Sequence, residues 1–275
     1  MSLVTSPESG IREIKTSKIH HSAVIDPGAK IHESVVIGPF CLVEKGVVIG
    51  EGCELVSHVV IKGDTTIGKN NRFYQFATIG ENPPDKKYGG ECTKLLIGDN
   101  NVFREAVTVH TGTIQDEAKT VIGNNNLFLA YVHIAHDCQV GDNTVFANNA
   151  SLAGHVKVGN NVNFGGFSKV SQYCKIGDYA FICADATITK DVPAYLKIAP
   201  SPARPAGLNT VGMERAGISK EAKALIKEAY QIVYQKKNPL KDALLMLGER
   251  LEDSQSADLK TFIASIEDSE RGVIR

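Results

Sequence analysis

A large apolar residue returns every six positions through the middle of the chain. The residues at this position are Ile122, Phe128, Ile134, Val140, Phe146, Leu152, Val158, Phe164, Val170, Ile176, Ile182 and Ile188. Two positions before most of these returns stands a small or β-branched residue, such as Val132 or Ala150. Residues two apart on an extended strand point to the same side, whereas six-residue spacing does not keep to one face of an α-helix. Each hexad therefore predicts a short strand with two inward side chains, one small and one large.

The same return also covers the first part of the chain. It runs from Ile19 to Ile79 and resumes at Ile97, Phe103 and Val109. A hexapeptide repeat of this kind predicts a parallel β-helix, in which each coil pairs its backbone with the next. We expect three hexads, roughly 18 residues, in each coil, with coils about 4.8 Å apart. The spacing alone leaves the handedness of the coil open.

Interruptions of the repeat predict the domain boundaries. Two segments rich in proline, glycine or polar residues leave the strand pattern and are expected to form loops, over 80–96 and 110–121. From Ser219 onward the apolar spacing becomes helical, with Ser219 as the N-cap. We therefore divide the chain into an N-terminal arm, a β-helix and a small α-helical C-terminal domain, over residues 1–18, 19–199 and 200–275.

Composition and charge narrow the class of protein. The 275 residues carry a net charge of −1, which gives no general reason to expect nucleic acid as a partner. No apolar run approaches the length of a membrane span and the N-terminus lacks a signal pattern, so we expect a cytoplasmic protein without membrane insertion. The six cysteines include no C-x-x-C pair. Four of them occupy the small inward position and are expected to be reduced core residues, namely Cys41, Cys53, Cys138 and Cys174.

The stacking of coils allows candidate chemistry to be searched by position. With about 18 residues per coil, His136, Gly154 and Gln172 fall in one column. Asp137 falls in the next column, beneath His155. A histidine beside a carboxylate, with a glycine amide one coil above, is an arrangement suited to acyl transfer. Since no G-x-S-x-G motif is present, direct attack by a substrate hydroxyl is the simpler chemistry.

The residue pattern by itself leaves the role of these groups open. His133, His136 and His155 fit a solvent-facing role, or a metal cluster between subunits, as well as catalysis. The first predicted loop offers further polar candidates, which are either ligand contacts or ordinary loop residues: Asp85, Lys87 and Tyr88.

Five stretches make the chain similar to a known family. They are His133–Cys138 (HIAHDC), Asn148–Val156 (NNASLAGHV), Tyr74–Gly80 (YQFATIG), Arg104–Thr113 (REAVTVHTGT) and Arg271–Arg275 (RGVIR). Together they resemble the UDP-N-acetylglucosamine O-acyltransferases of lipid A synthesis, which take their acyl group from acyl carrier protein. The resemblance implies a left-handed parallel β-helix and a homotrimer with active sites in the clefts between subunits. It implies neither a metal nor a dissociable cofactor, because the carrier thioester is itself a substrate.

The resemblance also implies roles by matching position. His136 is expected to be the general base, Asp137 its partner, and the Gly154 amide the oxyanion donor. The residues expected to contact the substrates are Gln75, Asp85, Lys87, Tyr88, His133, His155, Gln172, Asn209 and Arg215, the last two near the nucleotide.

The chain departs from the family pattern at several of these places. Ser171 stands where the family often has histidine, and Val211 and Ala216 stand where it often has glutamate and a second arginine around Arg215. Ala184 occupies the position expected to measure acyl length, where enzymes for longer chains often have glycine. An added methyl group there predicts a shorter acceptable chain.

These observations predict an acyltransferase. It would move a (3-hydroxy)fatty acyl group from acyl carrier protein to the 3-hydroxyl of UDP-N-acetylglucosamine, the first step of lipid A biosynthesis. Basic residues near the cleft, among them Lys157, Lys169 and Lys175, are expected to guide the acidic carrier. Two alternatives remain: an N-acyltransferase acting on a UDP-amino-sugar, and a non-catalytic hexapeptide-repeat protein that binds metal.

Overall fold

The computed structural model describes residues 18–200, 202–236 and 238–275, and within them the chain coils into a three-sided prism of parallel sheets. The N-terminal arm predicted for residues 1–18 lies, apart from Lys18, outside the described residues.

The sheets are numbered here in the order in which the chain visits them. Sheet 1 contains β1 (Val24–Ile25), β4 (Leu42–Val43), β7 (Val60–Ile61), β10 (Thr78–Glu81), β13 (Thr108–His110), β16 (His133–Ile134), β19 (Ser151–Leu152), β22 (Lys169–Val170) and β25 (Thr187–Ile188). Sheet 2 contains β2 (Lys30–Ile31), β5 (Val48–Ile49), β8 (Asp64–Ile67), β11 (Lys94–Ile97), β14 (Lys119–Ile122), β17 (Gln139–Val140), β20 (Lys157–Val158) and β23 (Lys175–Ile176). Sheet 3 contains β3 (Val36–Ile37), β6 (Glu54–Leu55), β9 (Arg72–Phe73), β12 (Val102–Phe103), β15 (Leu127–Phe128), β18 (Val145–Phe146), β21 (Asn163–Phe164), β24 (Phe181–Ile182), β26 (Leu196–Ala199) and β27 (Arg204–Leu208).

Up to Ile188, successive coils are 18 residues apart wherever no loop intervenes, and the last coil is two residues shorter, since Phe181 pairs with Lys197. Val145 pairs with Asn163, and Asn163 pairs with Phe181, in parallel register. Because each two-residue strand bonds to the coils on both sides, strands too short to be stable alone form continuous sheets. The register confirms the parallel β-helix and the coil length predicted from the hexads.

The large and small inward positions fill the prism in thin layers. Five phenylalanines stack along the axis with ring centroids 4.3 to 5.1 Å apart, namely Phe73, Phe103, Phe128, Phe146 and Phe164. The four cysteines predicted to be core residues are buried and unbridged. Burial raises the pKa of the Cys138 thiol to about 12, so this thiol is not a nucleophile at neutral pH.

The three edges of the prism differ in chemistry. The edge between sheets 1 and 2, here called the histidine edge, carries His136, Asp137, Gly154, His155 and Gln172. The edge between sheets 2 and 3, the asparagine edge, carries Asn71, Asn101, Asn126 and Thr144. The edge between sheets 3 and 1, the aromatic edge, exposes Phe40, Phe76, Tyr131 and Phe167.

A hydrogen-bonded ladder runs up the asparagine edge. The side-chain oxygen of Asn71 accepts from the Asn101 amide at 2.9 Å, and that of Asn101 accepts from the Asn126 amide at 2.9 Å. The side-chain nitrogen of Asn126 donates to the Gly141 carbonyl at 2.9 Å. These buried polar groups therefore satisfy one another and tie neighbouring coils together.

Both loops leave the prism at the histidine edge. One lies between β10 and β11, and there Thr78 pairs with Thr108, thirty positions later. The other lies between β13 and β14, where Lys94 pairs with Lys119. The strands resume in register after each loop, so both loops extend one edge without disturbing the core.

The C-terminal part caps and flanks the prism. Strand β27 turns back antiparallel on β26. Helical segments follow, namely α1 (Thr210–Arg215), α2 (Lys220–Tyr230) with a π-helical turn (Gln231–Gln235), α3 (Leu240–Ser254) and α4 (Ala257–Glu267). The Ser219 side chain accepts from the Ala222 amide, which confirms it as the N-cap of α2. No described helix is long and apolar enough to cross a membrane.

Candidate active site

His136 is held at the histidine edge by the carboxylate next to it. Its Nδ1 lies 2.8 Å from Oδ2 of Asp137, and both side chains are buried. An ionised carboxylate only accepts hydrogen bonds, so Nδ1 carries the proton in this pair. Within the described residues no protein group bonds to Nε2 of His136. The nitrogen that a general base needs is therefore free.

Asp137 is fixed by residues of the second loop. Its Oδ1 accepts from the Thr113 amide at 2.7 Å, and its Oδ2 accepts from the Thr113 hydroxyl at 2.7 Å. The Asp137 amide donates to Oγ1 of Thr120 at 2.8 Å. Charge-assisted bonds of this kind hold a buried carboxylate in one orientation, and with it the imidazole of His136.

Gly154 lies directly against the His136 ring, one coil above. A methyl group built on Gly154 would come within 2.5 Å of Cε1 and 2.7 Å of Nε2 of that ring. Only glycine lets the backbone approach so closely. Within the described residues no group accepts a hydrogen bond from the Gly154 amide. The equivalent amide is also free at Gly166 on the aromatic edge, so the adjacent imidazole is what distinguishes this one.

His155 is buried beside the same pair. Its ring is perpendicular to that of His136, with centroids 5.1 Å apart, and its Nε2 lies 3.7 Å from Oδ2 of Asp137. One ring face stacks on Tyr173 at 4.3 Å. Its Nδ1 lies 2.8 Å from Oδ2 of Asp116, on the second loop. Asp137 therefore has one histidine within hydrogen-bonding distance and a second just beyond it.

His133 lies on β16, on the outer face of sheet 1. Its Nδ1 is 2.8 Å from the Thr108 hydroxyl, and its ring meets that of His110 edge to face. Burial first, and then the neighbouring His110 and His136, lower the pKa of His133 from 6.5 to about 4. His133 is therefore neutral at physiological pH and can offer a hydrogen bond without a charge.

Gln172 follows in the same column, and its side chain is exposed. Its carbonyl accepts a hydrogen bond from the guanidinium of Arg271. The C-terminal tail is held here a second time, since Lys175 bonds to Glu270 at 2.6 Å. The tail thus braces the coil that completes the histidine edge.

The first loop places its candidates at the histidine edge. Oδ1 of Asp85 accepts from the Lys87 amide at 2.9 Å, which closes a local turn. The Tyr88 hydroxyl donates to the Glu91 carbonyl at 3.0 Å. Asp85 and Tyr88 therefore shape the loop, while the side chain of Lys87 extends into solvent.

A second group of predicted site residues lies elsewhere in the same chain. Asn209 and Arg215 line a cavity of about 300 Å³ against sheet 3. Oδ1 of Asn209 caps α1 by accepting from Gly212, and its Nδ2 donates to the Tyr179 carbonyl. Gln75 and Ala184 lie on the aromatic edge, where Oε1 of Gln75 is buried without a partner among the described residues. One chain therefore presents the predicted site in two separate halves.

The histidine edge also has the chemistry of a metal site. Among the described residues, ligand atoms of His136, Asp137 and His155 lie within 4.8 Å of one another. His133 is not a member of this group within one chain, because its ring turns towards Thr108 and His110 instead. The trio fits a divalent cation by donor type, although Asp137 is already bound to Thr113. A cluster of the three histidines between subunits stays an untested alternative.

Several residues that build this site were missed from the sequence. Thr113 and Asp116 lie in the second loop, where the six-residue period that placed the other candidates is interrupted. Arg271 lies near the C-terminus, far from Gln172 along the chain. Thr113 and Arg271 stood within motifs shared with the family, and that was the one signal pointing to them.

Family models match two parts of the chain. A bacterial transferase hexapeptide model, of six repeats, matches residues 28–63 and 119–154. Domain 2 of UDP N-acetylglucosamine O-acyltransferase matches residues 191–274. Prism and helical domain together define a hexapeptide-repeat acyltransferase.

Relatives and solved structures extend the match to nearly the whole chain. The acyl-[acyl-carrier-protein]–UDP-N-acetylglucosamine O-acyltransferase of Saccharophagus degradans is 45% identical over 94% of this chain and 99% of its own length. That of Halorhodospira halophila is 46% identical over 94% and 100%. The crystal structure of UDP-N-acetylglucosamine O-acyltransferase from Moraxella catarrhalis superposes with a TM-score of 0.91, at 46% identity, over 94% of this chain and 100% of that one. The chain belongs to the acyl-[acyl-carrier-protein]–UDP-N-acetylglucosamine O-acyltransferase family, and its prism is a left-handed parallel β-helix.

Proposed function

We infer that this protein transfers a (3-hydroxy)fatty acyl group from the thioester of acyl carrier protein to the 3-hydroxyl of UDP-N-acetylglucosamine, the first step of lipid A biosynthesis. The observation that carries the inference is the contact between the Gly154 backbone and the His136 ring, which Asp137 orients. The Gly154 backbone lies against the ring there, and neither Nε2 of His136 nor the Gly154 amide has a hydrogen-bond partner among the described residues. Acyl transfer to a hydroxyl requires a basic nitrogen and an oxyanion donor that are available in this way.

We propose that the groups of the histidine edge divide the steps of the reaction between them. Nε2 of His136 removes the proton of the sugar hydroxyl while the oxygen attacks the thioester carbon. The Gly154 amide donates to the oxyanion of the tetrahedral intermediate, and Asp137 stabilises the imidazolium. Collapse breaks the carbon–sulfur bond, and the imidazolium returns its proton to the departing thiolate. The ester and the free carrier thiol are the products.

Thioester consumption with UDP-N-acetylglucosamine present tests this mechanism. His136→Ala is expected to lower kcat by about 10³-fold, within the range for loss of a general base. His58→Ala is a matched control, since His58 occupies a corner of the same prism on the aromatic edge. Retained turnover in His136→Ala would exclude this residue as the base.

Mass spectrometry of the product separates an ester from an amide, and metal analysis of the active protein tests the metal alternative.

The two halves of the predicted site meet if the protein is a homotrimer. We propose that the histidine edge of one subunit faces Asn209 and Arg215 of its neighbour, with Gln75 and Ala184 along the same cleft. His133, His155 and Gln172, together with Asp85, Lys87 and Tyr88 of the first loop, would then contact the substrates from the catalytic side. The separation of these groups within one chain supports the proposal.

Subunit mixing tests the shared cleft. His136→Ala and Arg215→Ala are expected to be poorly active alone, whereas co-expression restores activity at about a quarter of the sites, since each site draws one residue from each neighbour. A mixture no more active than its parts would contradict a shared site.

Acyl length and carrier docking are two finer parts of the proposal. Ala184→Gly should shift the preferred acyl donor towards longer chains, which competition between donors of graded length would measure. A preference unchanged by the substitution would remove Ala184 from this role.

Lys157 and Lys175 stack in adjacent coils of sheet 2 and would guide the acidic carrier, although Lys175 also pairs with Glu270. Carrier binding insensitive to salt would count against this.

A further inference from the structure

His155 makes three contacts that take no part in the proposed reaction steps. Its ring is covered on one side by Tyr173, faces Asp137 with Nε2, and meets Asp116 with Nδ1 at 2.8 Å. Asp116 stands on the loop between β13 and β14, and its side chain is about one-third exposed, whereas that of His155 is only 7% exposed. A loop carboxylate thus reaches inward to a buried imidazole.

We propose that Asp116 is a positioning residue that acts through His155, and this rests on the proposed function of the histidine edge. An ionised carboxylate has no proton to give, so the Asp116 contact places a proton on Nδ1 of His155. Without it, the proton is free to move to Nε2, where the Asp137 carboxylate lies 3.7 Å away. A proton on Nε2 would draw Asp137 towards His155, in competition with its bond to His136.

Through His155 and Asp137, Asp116 affects the hydrogen bonding of the general base, His136. Oδ2 of Asp137 accepts from His136 at 2.8 Å and lies near His155 at 3.7 Å, so one oxygen is shared unequally between two histidines. The bond to Asp116 keeps this inequality, because it turns the donor nitrogen of His155 away from Asp137. Asp116, His155, Asp137 and His136 thus form a chain in which the outermost residue fixes the hydrogen bonding of the innermost.

The loop between β13 and β14 also holds Asp116 in position. Thr113 binds Asp137 through both its amide and its hydroxyl, and the Asp116 amide donates back to the Thr113 carbonyl at 3.3 Å. One short segment therefore touches both carboxylate–histidine pairs. Asp116, His155 and Tyr173 also line a cavity of about 200 Å³, together with Lys157, Lys175 and Glu270.

Two substitutions of Asp116 and one neighbour test the proposal kinetically. Asp116→Ala is expected to lower kcat by about tenfold, the scale for a displaced catalytic group, with KM for UDP-N-acetylglucosamine nearly unchanged. Asp116→Asn keeps an oxygen that accepts from Nδ1 and is expected to restore kcat to within about threefold of wild type. Glu117→Ala is the control, since Glu117 is the adjacent residue and pairs only with Lys119 among the described residues. An Asp116→Ala enzyme with wild-type kcat would overturn the proposal.

A second readout requires no substrate. NMR of ring nitrogens in isotope-labelled histidine, assigned with His155→Gln, is expected to show Nδ1 of His155 protonated in wild type and in Asp116→Asn, and the proton redistributed in Asp116→Ala. Unchanged His155 signals in Asp116→Ala would overturn the positioning role even if the enzyme performs the proposed transfer. Altered signals in a protein that transfers no acyl group would instead uphold the positioning role and refute the proposed function.

Discussion

The histidine edge and the asparagine edge are two corners of the same repeating coil, yet they use buried polar groups in opposite ways. On the asparagine edge, Asn101 and Asn126 bond to one another and to backbone, rung after rung. On the histidine edge, Asp137 is equally well satisfied, but His136 next to it keeps one nitrogen free. Polar side chains that all bond to one another stabilise the prism. A side chain that keeps one nitrogen without a partner is available for chemistry.

The backbone shows the same contrast. The corner residue with positive φ on the asparagine edge is Asn at most coils, for example Asn125 and Asn143. On the histidine edge this position is taken by Asp137, His155 and Tyr173. Asparagine, aspartate and histidine adopt this conformation more readily than most residues, whereas an aromatic residue such as Tyr173 does so at a cost in free energy. The two edges therefore differ mainly in the functional groups that they carry at this position.

Replacing an aspartate on each edge gives the largest expected difference. The carboxylate of Asp137 accepts three hydrogen bonds, from the amide and the hydroxyl of Thr113 and from Nδ1 of His136. Asp137→Asn replaces one of its two accepting oxygens by an NH₂ group, which donates and cannot accept. His136 would lose its orientation or its tautomer, and kcat should fall by about 10³-fold.

Asp142→Asn is the matched control on the asparagine edge. There, among the residues that the structure describes, only Oδ1 of Asp142 accepts a side-chain or backbone hydrogen bond, from Asn124. An amide oxygen can replace it, as Asn160 does one coil above. Activity and melting temperature should both be unchanged. Equal losses in the two variants would mean that the edges do not differ as described.

A methyl group on each of two equivalent glycines gives the next largest effect. Gly154→Ala would press on the His136 ring, so the imidazole must move, and kcat should fall by about 10²-fold. Gly166 occupies the same corner position on the aromatic edge, and a methyl group there would meet only the Asn148 carbonyl at 3.3 Å. Gly166→Ala should therefore retain kcat in the same assay. A fully active Gly154→Ala enzyme would show that the close contact is not needed.

Removing one residue of the asparagine ladder should have the opposite effect: the free energy of unfolding falls and kcat is unchanged. Asn126→Ala leaves the Thr144 amide and the Gly141 carbonyl without their partners, at a cost of about 2 kcal/mol in the free energy of unfolding. Asn148→Ala, at an exposed corner, should change this free energy by less than about 0.5 kcal/mol. Denaturant unfolding measures both, and kcat below the transition should match wild type. A large loss of kcat in folded Asn126→Ala would couple the two edges.

The sequence predicted the parts of the molecule that obey the period. The coils between Val121 and Ile188 have 18 residues each, so counting alone placed His136 under Gly154 and Asp137 beside His155. It failed at Thr113 and Asp116, because a loop of irregular length separates them from the column they join. Counting also could not relate Arg215 to His136, since they lie on different faces of one chain. Their meeting in a cleft between two subunits stays a proposal. The domain boundary near residue 199 and the roles of the individual site residues stay predictions.

The smallest expected effect concerns acid, and it arises at His133, which lies on sheet 1 next to the histidine edge. The pKa of His133 is about 4 in the folded protein and 6.5 ordinarily, chiefly because burial disfavours the charged ring. Between these values the unfolded chain binds a proton that the folded chain does not, so stability is fully present above pH 6.5 and falls as the pH drops towards 4. Since His133 is partly exposed, the loss between pH 7 and pH 5 should be about 1 kcal/mol. His133→Gln should lose that much less than wild type in denaturant unfolding at the two pH values, with His58→Gln as the control for replacing a histidine. Parallel pH dependence in wild type and His133→Gln would show that His133 is not held neutral by the fold.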